Sequence, residues 1–107
     1  TNEEMLEFRR VVSAFEIGAR AAFSPDLFNW ACLMNNAVRD NQPTHVHWHV
    51  VPRYSRPVEF NGRIYTDDAW SRQYNTGKDE PYYPSFDEIN KITAAMRCGI
   101  DRVQVDQ

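Results

Sequence analysis

The sequence predicts an α+β fold: a long helix, then two core strands paired antiparallel, an Asn-Gly hairpin and a C-terminal helix. Three observations carry this. Apolar residues between Met5 and Ala22 recur at spacings of three and four. Two short runs rich in β-branched and aromatic residues follow, Leu27 to Met34 and Thr44 to Pro52. Ser/Thr-x-x-Glu boxes at Thr1 and Ser85 each stand where a helix would begin.

In Thr1-Asn2-Glu3-Glu4 the Thr1 side chain caps the helix, and Glu4 reaches back to the Thr1 nitrogen. Met5, Phe8, Val12, Phe15, Ala19 and Ala22 then form an amphipathic stripe, which Leu6, Val11 and Ile17 widen. Ser24-Pro25-Asp26 stops the helix near Ala22. Leu27 to Met34 reads as the first strand and Thr44 to Pro52 as the second, with the polar stretch Asn35 to Pro43 as a loop between them. Asn61-Gly62, inside Pro57 to Thr66, marks a hairpin, because both residues accept the positive φ of a type I′ turn. Asp67 to Pro84 is polar, aromatic and irregular. The box Ser85 to Glu88 opens the last helix, with Ile89, Ile92, Ala95, Met96 and Ile100 inward and an end near Gly99.

At 107 residues the chain is one domain, residues 1–107, and its net charge of −3 disfavours non-specific nucleic-acid binding. A small anionic ligand is still compatible with that charge. Cys32 and Cys98 stand in no CxxC spacing and read as two free, buried thiols of a reducing, cytoplasmic compartment, with a single disulfide between them as the alternative. No apolar run reaches the ~18 residues of a membrane helix, and no signal peptide is visible.

All three histidines fall within one pentapeptide, His45-Val46-His47-Trp48-His49. Extended backbone would turn the imidazoles to one face and Val46, Trp48 and Val50 to the core. Three readings compete. One is a solvated polar face. A second is a metal site, but a strand separates His45 from His49 by about 13 Å, at ~3.3–3.4 Å per residue. A shared ion with Zn–N bonds of ~2.0–2.1 Å then needs two histidines plus carboxylates from elsewhere. The third is covalent catalysis on a phosphate, in which a neutral imidazole attacks and protonated neighbours bind oxygens.

His45-Val46-His47-Trp48-His49-Val50-Val51, continued by Pro52-Arg53, resembles the histidine triad (HIT) family motif. The helix, strand and loop ahead of it are similar to that family in order, so the resemblance covers roughly residues 1–53. His49 at the third position, where the uridylyltransferase branch has glutamine, places the likeness on the hydrolase side. The resemblance implies a HIT-like antiparallel sheet and a homodimer. It implies an enzyme that hydrolyses or transfers a nucleotide or nucleotide conjugate, with no cofactor and no metal. His47 would attack the α-phosphate to give a nucleotidyl-histidine, His49 would donate to phosphate oxygens, and His45 would orient the cluster and the leaving group. Asn35, with Asn36 as an off-by-one alternative, and Gln42 match the positions that contact substrate.

Two departures stand beside the match. The loop from Asn36 to Thr44 has no glycine and is about one residue short, which motivates an alternative, a nucleotide-binding module without catalysis. A metal-dependent hydrolase is a further alternative. The strands that precede the first helix in the family are not in this sequence, so the chain reads as part of a longer protein or as one completed by a partner chain. Trp30 and Trp48 read as core. Tyr65, Tyr74, Tyr82 and Tyr83 read as loop packing or a substrate entrance, and Arg53, Arg56 and Arg63 as charge near the phosphates.

Overall fold

The computed structural model describes residues 1–73 and 82–105, leaving aside the side chains of 35, 104 and 105. Within them the fold is mixed, with three helices and two small antiparallel sheets. Helix α1 spans Asn2–Phe23, and its capping box forms as expected. The Glu4 amide donates to Thr1 Oγ1 at 3.2 Å, and the Thr1 amino group donates to Glu4 Oε2 at 2.6 Å. The helix ends where Ser24 turns left-handed (φ 48°) and its N–H returns to the Arg20 carbonyl.

Strand β1 (Leu27–Ala31) pairs antiparallel with β2 (His49–Arg53), from Leu27↔Arg53 to Ala31↔His49. Both strands are shorter than the sequence suggests. The reason lies in the connection: Asn35–Arg39 coils into a one-turn helix, α2, where a loop was expected. The chain therefore leaves the sheet after Ala31, and the residues ahead of His49 have no rung to pair with. Cross-strand neighbours share a face. Phe28, Trp30, Val50 and Pro52 lie on one side, and Leu27, Asn29, Ala31, His49, Val51 and Arg53 on the other.

The first side packs on α1. The Phe15 ring meets the Phe28 and Trp30 rings edge-on at 6.1 and 5.8 Å, and the Trp30 indole N–H donates to Glu16 at 3.0 Å. Such aromatic pairs contribute about 0.5–1.5 kcal/mol each beyond area burial. Leu6 and Val11, expected to widen the buried stripe, are instead 55% and 57% exposed.

Strands β3 (Val58–Phe60) and β4 (Arg63–Tyr65) form the expected hairpin. Asn61 and Gly62 carry φ of 51° and 76°, the backbone of a type I′ turn. Phe60 reaches Phe23 at the end of α1, ring centroids 5.0 Å apart.

Helix α3 spans Phe86–Val105, running on past Gly99, where the sequence suggested a stop. Gly99 is a contact glycine, not a terminator. A Cβ there would sit 2.7 Å from Ala21 Cβ and 3.1 Å from the Gly18 carbonyl oxygen. A Cβ on Gly18 would sit 2.9 Å from the Met96 carbonyl oxygen. These two glycines let α1 and α3 touch backbone to backbone, and Gly18, Ala19 and Gly99 are buried at that contact. The start of α3 is held by the Ser85–Glu88 box. Among the described residues no helix is long and apolar enough to cross a membrane. Cys32 and Cys98 are free thiols; Cys98 is exposed on the outer side of α3, not buried.

Candidate active site

The histidine segment approaches β2 from outside the sheet. Only His49 lies in the strand, fixed on the open face by its rung with Ala31. His45 and His47 precede it in chain that belongs to no strand, so the strand spacing that separates His45 from His49 by about 13 Å does not apply to them. The three rings nonetheless form a row. Centroids are 5.1 Å apart for His45 and His47, and 5.0 Å apart for His47 and His49. His47 is half-buried and its two neighbours are exposed.

The apolar half of the alternation holds only in part. Trp48 continues the helix-facing side and stacks on Phe8 at 4.6 Å, yet it is 46% exposed. Val46 is 73% exposed, because the sheet does not extend beneath it. Phe8 on α1 thus anchors the segment through the residue between His47 and His49.

His47 Nδ1 lies 3.1 Å from the His45 carbonyl oxygen. A carbonyl only accepts, so the bond requires the proton on Nδ1. That leaves the Nε2 lone pair of the neutral ring unprotonated and available as a nucleophile or a ligand. Among the described residues no group of three His, Cys, Asp or Glu side chains is placed to hold a metal ion.

The expected substrate contacts fare differently. Asn35 opens α2 and does not close β1, and its side chain lies outside the described residues. Asn36 follows it in α2 and is exposed. Gln42 is exposed, and its side-chain amide donates to the Asp40 carbonyl at 3.4 Å within its own turn.

Of the three arginines considered for phosphate, each is engaged elsewhere. Arg53 is 3% exposed and binds Asp67 Oδ2 through Nε at 2.6 Å, Asn29 Oδ1 at 2.6 Å and the Ala69 carbonyl at 2.6 Å. Arg56 pairs with Asp26 at 3.3 Å and donates to the Ser24 carbonyl. Arg63 covers the Tyr82 ring, 3.5 Å from its centroid. The hydroxyls of Tyr65 and Tyr82 both donate to Glu88, tying the hairpin to α3, which is a packing role. Tyr83 is 82% exposed, and Tyr74 lies outside the described residues.

Electrostatics follow these contacts. Hydrogen bonds from Arg53, then from the Tyr54 and Ala69 amides, hold the Asp67 carboxyl below its ordinary value against the opposing cost of burial. Asp26 is lowered chiefly by the Ser55 amide and hydroxyl, and Glu88 by the two tyrosines, Tyr82 foremost. Burial first, then Glu88, raises the Tyr65 hydroxyl.

Asp67, Asn29 and Trp70 escaped the sequence reading. Only the strand-ending arginine hinted that a carboxylate must lie opposite it. Compared with family models, curated proteins and solved structures, the chain matches none.

Proposed function

We propose that the chain is a HIT-like enzyme that hydrolyses or transfers a nucleotide or nucleotide conjugate at its α-phosphate, with His47 as nucleophile. The observation that carries this reading is the bond geometry of His47 Nδ1 with the His45 carbonyl, which frees Nε2 in the middle of a row of three imidazoles. The helix–strand–connection–strand order supports a HIT-like sheet with His49 on its open face.

In the first step the Nε2 lone pair forms an N–P bond, and the bond from phosphorus to the leaving group breaks with its electron pair. His49 donates to phosphate oxygens, and His45 assists orientation and departure. In the second step water, or another acceptor, attacks phosphorus. The N–P pair returns to Nε2, and the attacking oxygen gives up its proton to solvent. Asn35 and Gln42 serve as substrate contacts, and a cytoplasmic homodimer accompanies the reading. The chemistry needs no metal.

Incubation with adenosine 5′-phosphoramidate and with diadenosine tetraphosphate, followed by mass analysis of protein quenched in alkali, where the acid-labile N–P bond survives, tests this. A nucleotidyl adduct on the peptide containing His47, lost in His47→Asn together with turnover but not with AMP binding, is the expected result. AMP binding without adduct or turnover on either compound would instead identify a non-catalytic binding module. Full turnover by His47→Asn sinks the assignment.

A further inference from the structure

On the histidine face of the β1–β2 sheet lies a cleft of about 460 Å³. Leu27, Asn29 and Ala31 form its floor, Arg53 one wall, and Trp70 and Arg72 the rim. It runs from Leu33 past the rung that Ala31 shares with His49 and on toward Arg53. We propose that this cleft is a subsite for a planar aromatic ring carried on an anionic ligand, with Trp70 as the stacking face and Arg72 as the countercharge. It would receive one end of the molecule whose phosphate meets His47, and to that extent it rests on the function proposed above.

Trp70 differs from the other two tryptophans. Trp30 meets Phe8 and Phe15 of α1 edge-on, and Trp48 stacks on Phe8. Among the described residues Trp70 has no aromatic partner; it is half-buried and lines the cleft. It is also held in place. Asp67 takes the Arg53 guanidinium and the Ala69 amide, the Trp70 amide donates to the Asp67 carbonyl at 3.1 Å, and the Arg72 amide donates to the Ala69 carbonyl at 2.9 Å. Ser71 between them has φ 67°, a left-handed backbone uncommon for a non-glycine residue, which turns the chain between the indole and the guanidinium. With its backbone fixed in this way, Trp70 can offer a ring contact at reduced entropic cost.

The charges point the same way. Arg53 is already neutralised by Asp67, whereas Arg72 is exposed and makes no ion pair among the described residues. Asn29 spends its carbonyl oxygen on Arg53 Nη1, which leaves its amide N–H groups to donate to a ligand. A ring beside phosphate suits this set of groups. The ring has two possible sources, the nucleoside kept on His47 or the group that leaves.

The test compares steady-state kinetics of wild type, Trp70→Ala, Trp70→Phe and Arg72→Ala on the two substrates. Adenosine 5′-phosphoramidate has a ring only in the retained half, and diadenosine tetraphosphate has one at each end. KM is expected to rise about tenfold in Trp70→Ala, the size of one lost stacking contact. A rise on the tetraphosphate alone assigns the cleft to the leaving end, and a rise on both assigns it to the retained nucleoside. In either case Trp70→Phe restores KM, and thermal unfolding is unchanged.

Unaltered KM on both substrates overturns the proposal. So does a loss that phenylalanine does not restore or that accompanies a lower melting temperature. If the wild type turns over neither compound, the catalytic reading fails by itself. ATP binding by calorimetry then decides the cleft: weakening in both Trp70→Ala and Arg72→Ala supports it, and unchanged or undetectable binding overturns it.

Discussion

Arg53, the last residue of β2, donates to Asp67 at 2.6 Å from a side chain that is only 4% exposed, across a sequence gap of 14 residues. The pair joins the end of the histidine strand to the segment that carries Trp70. Removing one partner leaves a buried charge, which costs far more than removing both. Asp67→Asn is therefore expected to lower unfolding free energy by about 3 kcal/mol. Urea denaturation would read this as a lower midpoint at unchanged slope. The double variant Arg53→Met/Asp67→Leu is expected to recover part of the loss. Wild-type stability in the single variant would show that the pair holds nothing.

The same carboxyl predicts a pH dependence. Asp67 titrates below its ordinary value of 3.8 in the folded chain. Between the lowered and ordinary values the unfolded chain binds a proton that the folded chain does not. Its stabilisation is thus fully present above about pH 4 and is lost as pH falls through the folded value. The wild type minus Asp67→Asn difference in melting temperature is expected to be flat near neutrality and to shrink below that pH. A difference that grew on acidification would reverse the assigned sign.

At the crossing of α1 and α3 the prediction is steric. Gly99→Ala places a methyl 2.7 Å from Ala21 Cβ, on helix backbones that can only move apart. A loss of about 1–3 kcal/mol is expected, the usual range for overpacking. Gly99→Ala/Ala21→Gly should restore much of it. Equal melting temperatures for wild type and Gly99→Ala would mean that the helices are not in backbone contact.

These residues also show what a single sequence exposes. The caps at Thr1 and Ser85 and the Asn61-Gly62 turn are legible because each depends on residues within one turn of the chain. Gly99 misleads because glycine serves equally at a helix end and at a close helix crossing, and only the position of Ala21 decides between them. Strand length is also non-local: His45 and His47 lie outside the ladder because β1 stops at Ala31. The histidine row was readable as a pattern. Asp67, Asn29 and Trp70 were not, since no periodicity links them to β2.

The His47 tautomer is directly observable. If its Nδ1–H donates to the His45 carbonyl, a long-range ¹H–¹⁵N spectrum at a pH where the ring is neutral shows a protonated Nδ1 and an unprotonated Nε2. His45 and His49, without such a bond among the described residues, are expected to show the tautomer mixture of free imidazole. An Nε2–H tautomer at His47 would remove the geometric support for its role as nucleophile.

Phe8 offers a way to disturb the site from outside it. Its ring stacks on Trp48 at 4.6 Å, and Trp48 sits between the two histidines that would touch phosphate. His47 has no rung in the ladder, and this stack ties the residue next to it to α1. Phe8→Ala is expected to cost about 2 kcal/mol of stability, at the low end for a large-to-small change because Trp48 is half exposed. It is also expected to cut kcat about tenfold or more with little change in KM, since misplacing a reacting group by ~1 Å can cost about a hundredfold. Phe8→Leu keeps the packing volume, if not the stacked ring, and should lie between the two. The comparison requires a temperature at which all three proteins are folded, checked by near-ultraviolet circular dichroism. Wild-type kcat in folded Phe8→Ala would show that the histidine row keeps its geometry without help from α1.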